Sequence, residues 1–203
     1  MFSKNQSGSS LNRQLFETYM VLDNWHQFRL RLFIEGIFVG IAGGLSISLF
    51  RFLLNESEDL RIHLYYTCLI PALRRDDLLP LLSYALLLLA IGGALCAMCR
   101  YAPMAGGSGI PQVKGVILGL MKMKWLRILW VKILAGAIGI GAGLSLGREG
   151  PSIQIGAVAG QGLSRMLGRT RMEERYLITS GASAGLAAAF NAPLAGMMFA
   201  LEE

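Results

Sequence analysis

Gly106-Gly107-Ser108-Gly109-Ile110-Pro111 and Gly147-Arg148-Glu149-Gly150-Pro151 are two stretches of one design. In each, glycines precede a proline that opens an apolar segment. Proline suits the first turn of a helix, where its missing N–H costs nothing. Glycine lets bare backbone approach a ligand closely. The free N–H groups and the positive end of the helix dipole then favour an anion. The Ser108 hydroxyl offers one further donor. In the second stretch a carboxylate, Glu149, sits at the helix start, and an acid at membrane depth is costly enough to mark function. Ionised, it occupies the place an anion would take; protonated, it swings away, so one group is both gate and proton acceptor. The bland alternatives are a tight interhelical turn at 106–111 and an Arg148–Glu149 salt bridge at a cap. Two such stretches in one chain favour the anion site.

The flanking sequence is that of a membrane protein. Hydrophobic residues make up 54% of the 203 and charged residues 16%, against about 25% charged in soluble domains. The charges gather at 1–31, 55–77, 122–132 and 165–175. The net charge of +6 lies in short loops beside apolar runs, which orients membrane proteins and does not suit nucleic acid. No secretory signal is present. The chain divides into a cytoplasmic segment at 1–31 and a membrane domain at 32–203. Residues 1–10 are polar and expected to be disordered, and 11–31 are expected to form a helix at the membrane surface.

The apolar runs at 33–54 and 78–99 are each long enough to cross a bilayer. Gly36, Gly40 and Gly44 predict a small-residue stripe where another helix approaches. Residues 55–77, with five acids and three arginines, read as a polar loop. The pattern then changes to short, Gly/Pro-interrupted segments: a half-helix after Pro111, a span at 126–146 containing Lys132, then 151–167, 176–190 and 193–203, the last two broken at Asn191-Ala-Pro193. Such interruptions are tolerated only where protein buries the backbone or it lines a polar cavity, and they point to a transport site near the midplane. The Lys/Arg distribution places 1–31, 122–127 and 165–175 in the cytoplasm and 55–77 outside.

Other chemistries are weaker. Cys96-Ala-Met-Cys99 has no second Cys or His pair to complete a zinc site, so both cysteines read as packing residues and no metal or cofactor is expected. Gly181-Ala-Ser183-Ala-Gly185 fits the G-x-S-x-G nucleophile pattern, but it lies in a small-residue helix instead of a strand-to-helix turn. His26 and His63, before the first span and in the outer loop, are the available bases. The chain is not expected to be an enzyme.

The stretches 107–111 and 147–151, with Gly185-Leu-Ala-Ala-Ala-Phe-Asn-Ala-Pro-Leu-Ala-Gly196 and the closing Glu202-Glu203, resemble signatures of the ClC family of chloride channels and chloride/proton antiporters, over residues 30–203. The resemblance implies an all-α fold of tilted, broken and re-entrant helices, half of an inverted repeat. It implies chloride contacts from Gly107, Ser108, Gly109, Ile110 and Pro111, and from Arg148, Glu149 and Gly150. Glu149 becomes the external gating glutamate and Glu203 the internal proton-transfer glutamate, which favours exchange over passive conduction. Ser108 favours chloride over nitrate, and Lys132 adds positive potential to the path. The implied partners are chloride, protons, the lipid bilayer and a second copy in a homodimer, in a multi-pass protein of the cell (inner) membrane with a cytoplasmic N-terminus. The chain is expected to hold the first repeat only, which keeps a non-transporting fragment open beside the exchanger; a passive channel without proton coupling is the other alternative.

Overall fold

A computed structural model describes residues 6–74 and 78–202, with side chains from residue 30 onward. Every regular element in it is helical. Helix α1 (Gln6–Leu64) passes through a π-helical stretch, Tyr65–Leu69, into α2 (Ile70–Arg74). α3 (Leu78–Tyr101) follows, then a 3-10 turn (Pro103–Ala105) and the short α4 (Ile110–Ile117). The rest is α5 (Trp125–Gly141), α6 (Glu149–Met166), α7 (Arg171–Phe190) and α8 (Pro193–Glu202).

Two expectations fail along α1. The backbone is already helical from Gln6 within the stretch expected to be disordered, because each residue added to an existing helix fixes one more hydrogen bond at little extra cost. The side chains behind the surface-helix expectation at 11–31 fall outside the described residues up to 29. The polar loop expected at 55–77 is also helical as far as Arg74. Its acids and arginines are polar but are not helix breakers. The first breaker is Pro71, and the π-helical stretch directly before it widens the turn where the ring would meet the i−4 carbonyl.

The segment Leu30–Arg74 and α3 are both long and apolar enough to cross a membrane. At 1.5 Å per residue, the 24 residues of α3 span roughly 36 Å. No residue of α3 is buried within the chain, and Leu79 is 81% exposed. Cys96 and Cys99 are therefore exposed and do not pack as expected.

α5 ends at Gly141, short of the expected 146. Gly143 adopts φ +93°, its N–H bonds the Ile140 carbonyl, and the Leu144 N–H reaches Gly139. This paired closure, which needs a left-handed residue, stops the helix. α7 begins earlier than expected, at Arg171. The Thr170 hydroxyl and the Glu173 side chain cap it reciprocally, a signature written in the spacing Thr-x-x-Glu. The Thr170 backbone N–H and its hydroxyl both donate to the Glu173 carboxylate, and these bonds hold it below the usual carboxylate range.

Packing centres on α6 and α7, which cross at backbone contact. A Cβ on Gly156 would lie 2.1 Å from the Gly181 carbonyl oxygen, and one on Gly160 would lie 2.1 Å from that of Leu177. The Gly36/Gly40/Gly44 stripe does not perform this role. A Cβ on Gly40 or Gly44 would meet nothing within 4 Å. The buried seam of α1 instead runs through Glu35, Val39, Gly43, Ile47, Phe50 and Leu54, one position away and so rotated by about 100°. Ile47, Phe50 and Leu54 meet Ile133, Ile140 and Ile155 in one core, while Val113, Ile153, Val158 and Ile178 anchor a second beside α4. Glu35, buried in the first apolar run, is ion-paired with Arg169 in the turn between α6 and α7.

Candidate functional site

The two Gly/Pro stretches meet. A cavity of about 470 Å³ is lined by Gly107, Ser108 and Ile110 from one and by Glu149, Gly150 and Pro151 from the other, with Lys132 of α5 between them. The contact is direct: a Cβ on Gly150 would stand 2.0 Å from the Ser108 carbonyl oxygen and 2.8 Å from its hydroxyl. Only glycine fits there, so the starts of α4 and α6 share one small space.

The loop before α4 is held by its oxygens. Gln154 of α6 donates to the Met104 carbonyl at 2.7 Å. The Lys132 ammonium donates to Ala105 at 2.9 Å and Gly107 at 2.8 Å. Gln112 of α4 donates to Gly106 at 2.9 Å. Four successive carbonyls are thus taken up by side chains from three helices. In a trans peptide the N–H opposes the C=O, so the Ser108 amide points away from the ammonium that holds Gly107. The amides of Ser108, Gly109 and Ile110 have no acceptor among the described residues, and Pro111 has none to donate. The result is a bundle of free donors at a helix start, with the positive end of the dipole behind them. Gly109, at φ +95°, lies under Gln154, whose Oε1 would be 2.8 Å from a Cβ there.

The sequence-predicted residues therefore divide. Gly107, Ser108, Ile110, Lys132, Glu149 and Gly150 line the cavity. Gly109 and Pro111 lie beside it without lining it. The Arg148 guanidinium turns to Glu58 of α1 at 2.9 Å, so the Arg148–Glu149 bridge considered above is not the pairing found. Lys132, 5% exposed, does not snorkel; its charge is buried in the site. Glu203 lies outside the described residues. Ser183 of the G-x-S-x-G match sits in mid-helix and donates to the Thr179 carbonyl at 2.8 Å.

Sequence reasoning missed Gln112, Gln154 and the Glu35–Arg169 pair. Each had a signal: a polar or charged side chain within an apolar segment must find a partner or remain costly.

Comparison with known proteins identifies the family. Residues 87–203 match the family described as voltage gated chloride channel. The H(+)/Cl(-) exchange transporter ClcA of Cronobacter sakazakii is 50% identical over 105 residues, covering 51% of this chain and 22% of the transporter. That of Citrobacter koseri is 45% identical over 141 residues, covering 64% and 30%. The crystal structure of a slow cyanobacterial Cl-/H+ antiporter superposes with a TM-score of 0.60 at 37% identity, over 81% of this chain and 37% of the antiporter. The chain thus spans between a fifth and two fifths of the length of these relatives. With more than half of its residues matched by the family and both helix starts gathered at one cavity, the chain belongs to the voltage-gated chloride channel family.

Proposed function

We propose that this chain provides the first anion-binding half of a chloride/proton exchanger in a cell membrane. The observation that carries the proposal is the seating of Gly150 against Ser108, which puts two helix starts and the Glu149 carboxylate around one cavity. A dehydrated chloride would be held by the Ser108 hydroxyl and the free amides at 108–110, with the Lys132 charge behind the loop. Glu149 would compete for that position when ionised and yield it when protonated, so an anion moving one way is tied to a proton moving the other. Arg148 would contribute its main-chain N–H alone, because its guanidinium is engaged by Glu58. Glu203 would pass the proton on the cytoplasmic side. The names of the relatives support exchange over passive conduction. A homodimer and an inner-membrane location with a cytoplasmic N-terminus complete the proposal.

The test grafts residues 87–203 into the Cronobacter sakazakii transporter in place of its own matching segment. Proteoliposomes carrying the graft should take up protons when an outward chloride gradient is applied. With Glu149→Gln, chloride should still move and the proton signal should disappear. Undiminished proton coupling in the Gln variant would remove Glu149 from the mechanism.

A further inference from the structure

A second cavity, of about 220 Å³, lies at the far end of α4 from the anion site. It is lined by Gly119 and Lys122 after α4, Gln161 and Arg165 of α6, and Arg171, Glu174 and Arg175 of α7. Four cations and one carboxylate face it. Arg165 is engaged with Glu174 at 3.2 Å, whereas Lys122, Arg171 and Arg175 have no ion-pair partner among the described residues. The arrangement is built, not merely superficial. Gln161 is 2% exposed, donates to Glu174 at 2.9 Å and leaves its own Oε1 buried without a donor. Gly119 makes room for Arg175, whose Nη2 would be 2.6 Å from a Cβ there. Leu118, Leu120, Met172 and Tyr176 are exposed in the same segments, so cations and apolar side chains occur together, as at the headgroup level of a bilayer.

We infer that this cavity binds a phosphate anion, the chemistry of an anionic phospholipid headgroup such as that of phosphatidylglycerol or of soluble glycerol phosphate. The excess cations match the phosphate. The volume equals about seven waters at roughly 30 Å³ each, enough for a phosphoglycerol group. The adjacent exposed leucines favour a ligand with acyl chains over the free anion. α4 connects the two cavities: its start carries Ile110 and its last turn Val116, which line one each.

The experiment is native mass spectrometry of the full chain in mixed micelles of phosphatidylcholine with a minor fraction of phosphatidylglycerol. The wild type should retain phosphatidylglycerol selectively. Arg175→Gln should weaken retention about fivefold, the equivalent of ~1 kcal/mol for one basic residue at a lipid surface, and Arg175→Lys should restore most of it. Arg100→Gln, an exposed cation outside the cavity, should leave it unchanged. Added glycerol phosphate that displaces the lipid would support the same site with a soluble source of ligand. Lack of discrimination between the two lipids by the wild type would overturn the proposal, as would equal weakening by Arg175→Gln and Arg100→Gln in chains of matching helicity.

Discussion

At Lys132 a single side chain links a buried helix face to the proposed anion site. Its ammonium is buried and saturates two carbonyls on either side of Gly106. Substitution by Met keeps the length and removes both donors, leaving two acceptors unanswered in a place water reaches poorly. Hydrogen bonds to charged groups contribute roughly 1.5–3 kcal/mol each, so Lys132→Met should lower stability by about 3 kcal/mol, read as a drop in the melting midpoint in detergent. An unchanged midpoint would show that the loop holds its shape without the ammonium. Part of this site was legible from residue order alone. Ser108, Glu149 and Gly150 announce themselves through Gly and Pro spacing, which is local chemistry. That Lys132 reaches back 27 and 25 residues to specific oxygens was not legible, because a cation in an apolar run states a need and not its partner. The same holds for Gln154, whose partner is 50 residues away.

The elements teach a related lesson about small residues. Glycine stripes on α1 and on the α6/α7 pair look alike in sequence, yet just the second forms a crossing at backbone contact. A stripe is visible from spacing, but the face it occupies depends on the rotational setting of the helix, fixed by larger neighbours such as Phe50 and Ile47. Gly181 stands where a Cβ would lie 2.2 Å from the Gly156 carbonyl oxygen. Gly181→Val should therefore separate α6 from α7 and abolish folding or cost several kcal/mol, whereas Gly40→Val should be tolerated. Trypsin resistance of the purified variants distinguishes the two; equal resistance would contradict the tight crossing. Helix limits were legible to within a few residues where Gly or Pro marked them. They were lost at 55–74, where polar composition imitates a loop although nothing breaks the helix before Pro71.

For the whole molecule, α3 is the clearest statement of environment. A 24-residue apolar helix with no residue buried in its own chain requires lipid or further protein around it. The proposed topology, read from the Lys/Arg distribution, puts 55–74 outside and 165–175 inside. Cys68 is exposed in the former region and Met166, 77% exposed, lies in the latter. In intact cells a membrane-impermeant maleimide should modify Cys68. A Met166→Cys chain lacking the native cysteines should react only after the membrane is opened. The reverse pattern would invert the topology.

The fit of Gly150 onto Ser108 also sets an order of events during synthesis. The two halves of the cavity are separated in the chain by α5, which must be made and folded before they can touch. A nascent chain halted anywhere before residue 150 would carry the α4 donors with no counterpart, so halide affinity should arise abruptly as α6 leaves the translocon and not grow with chain length.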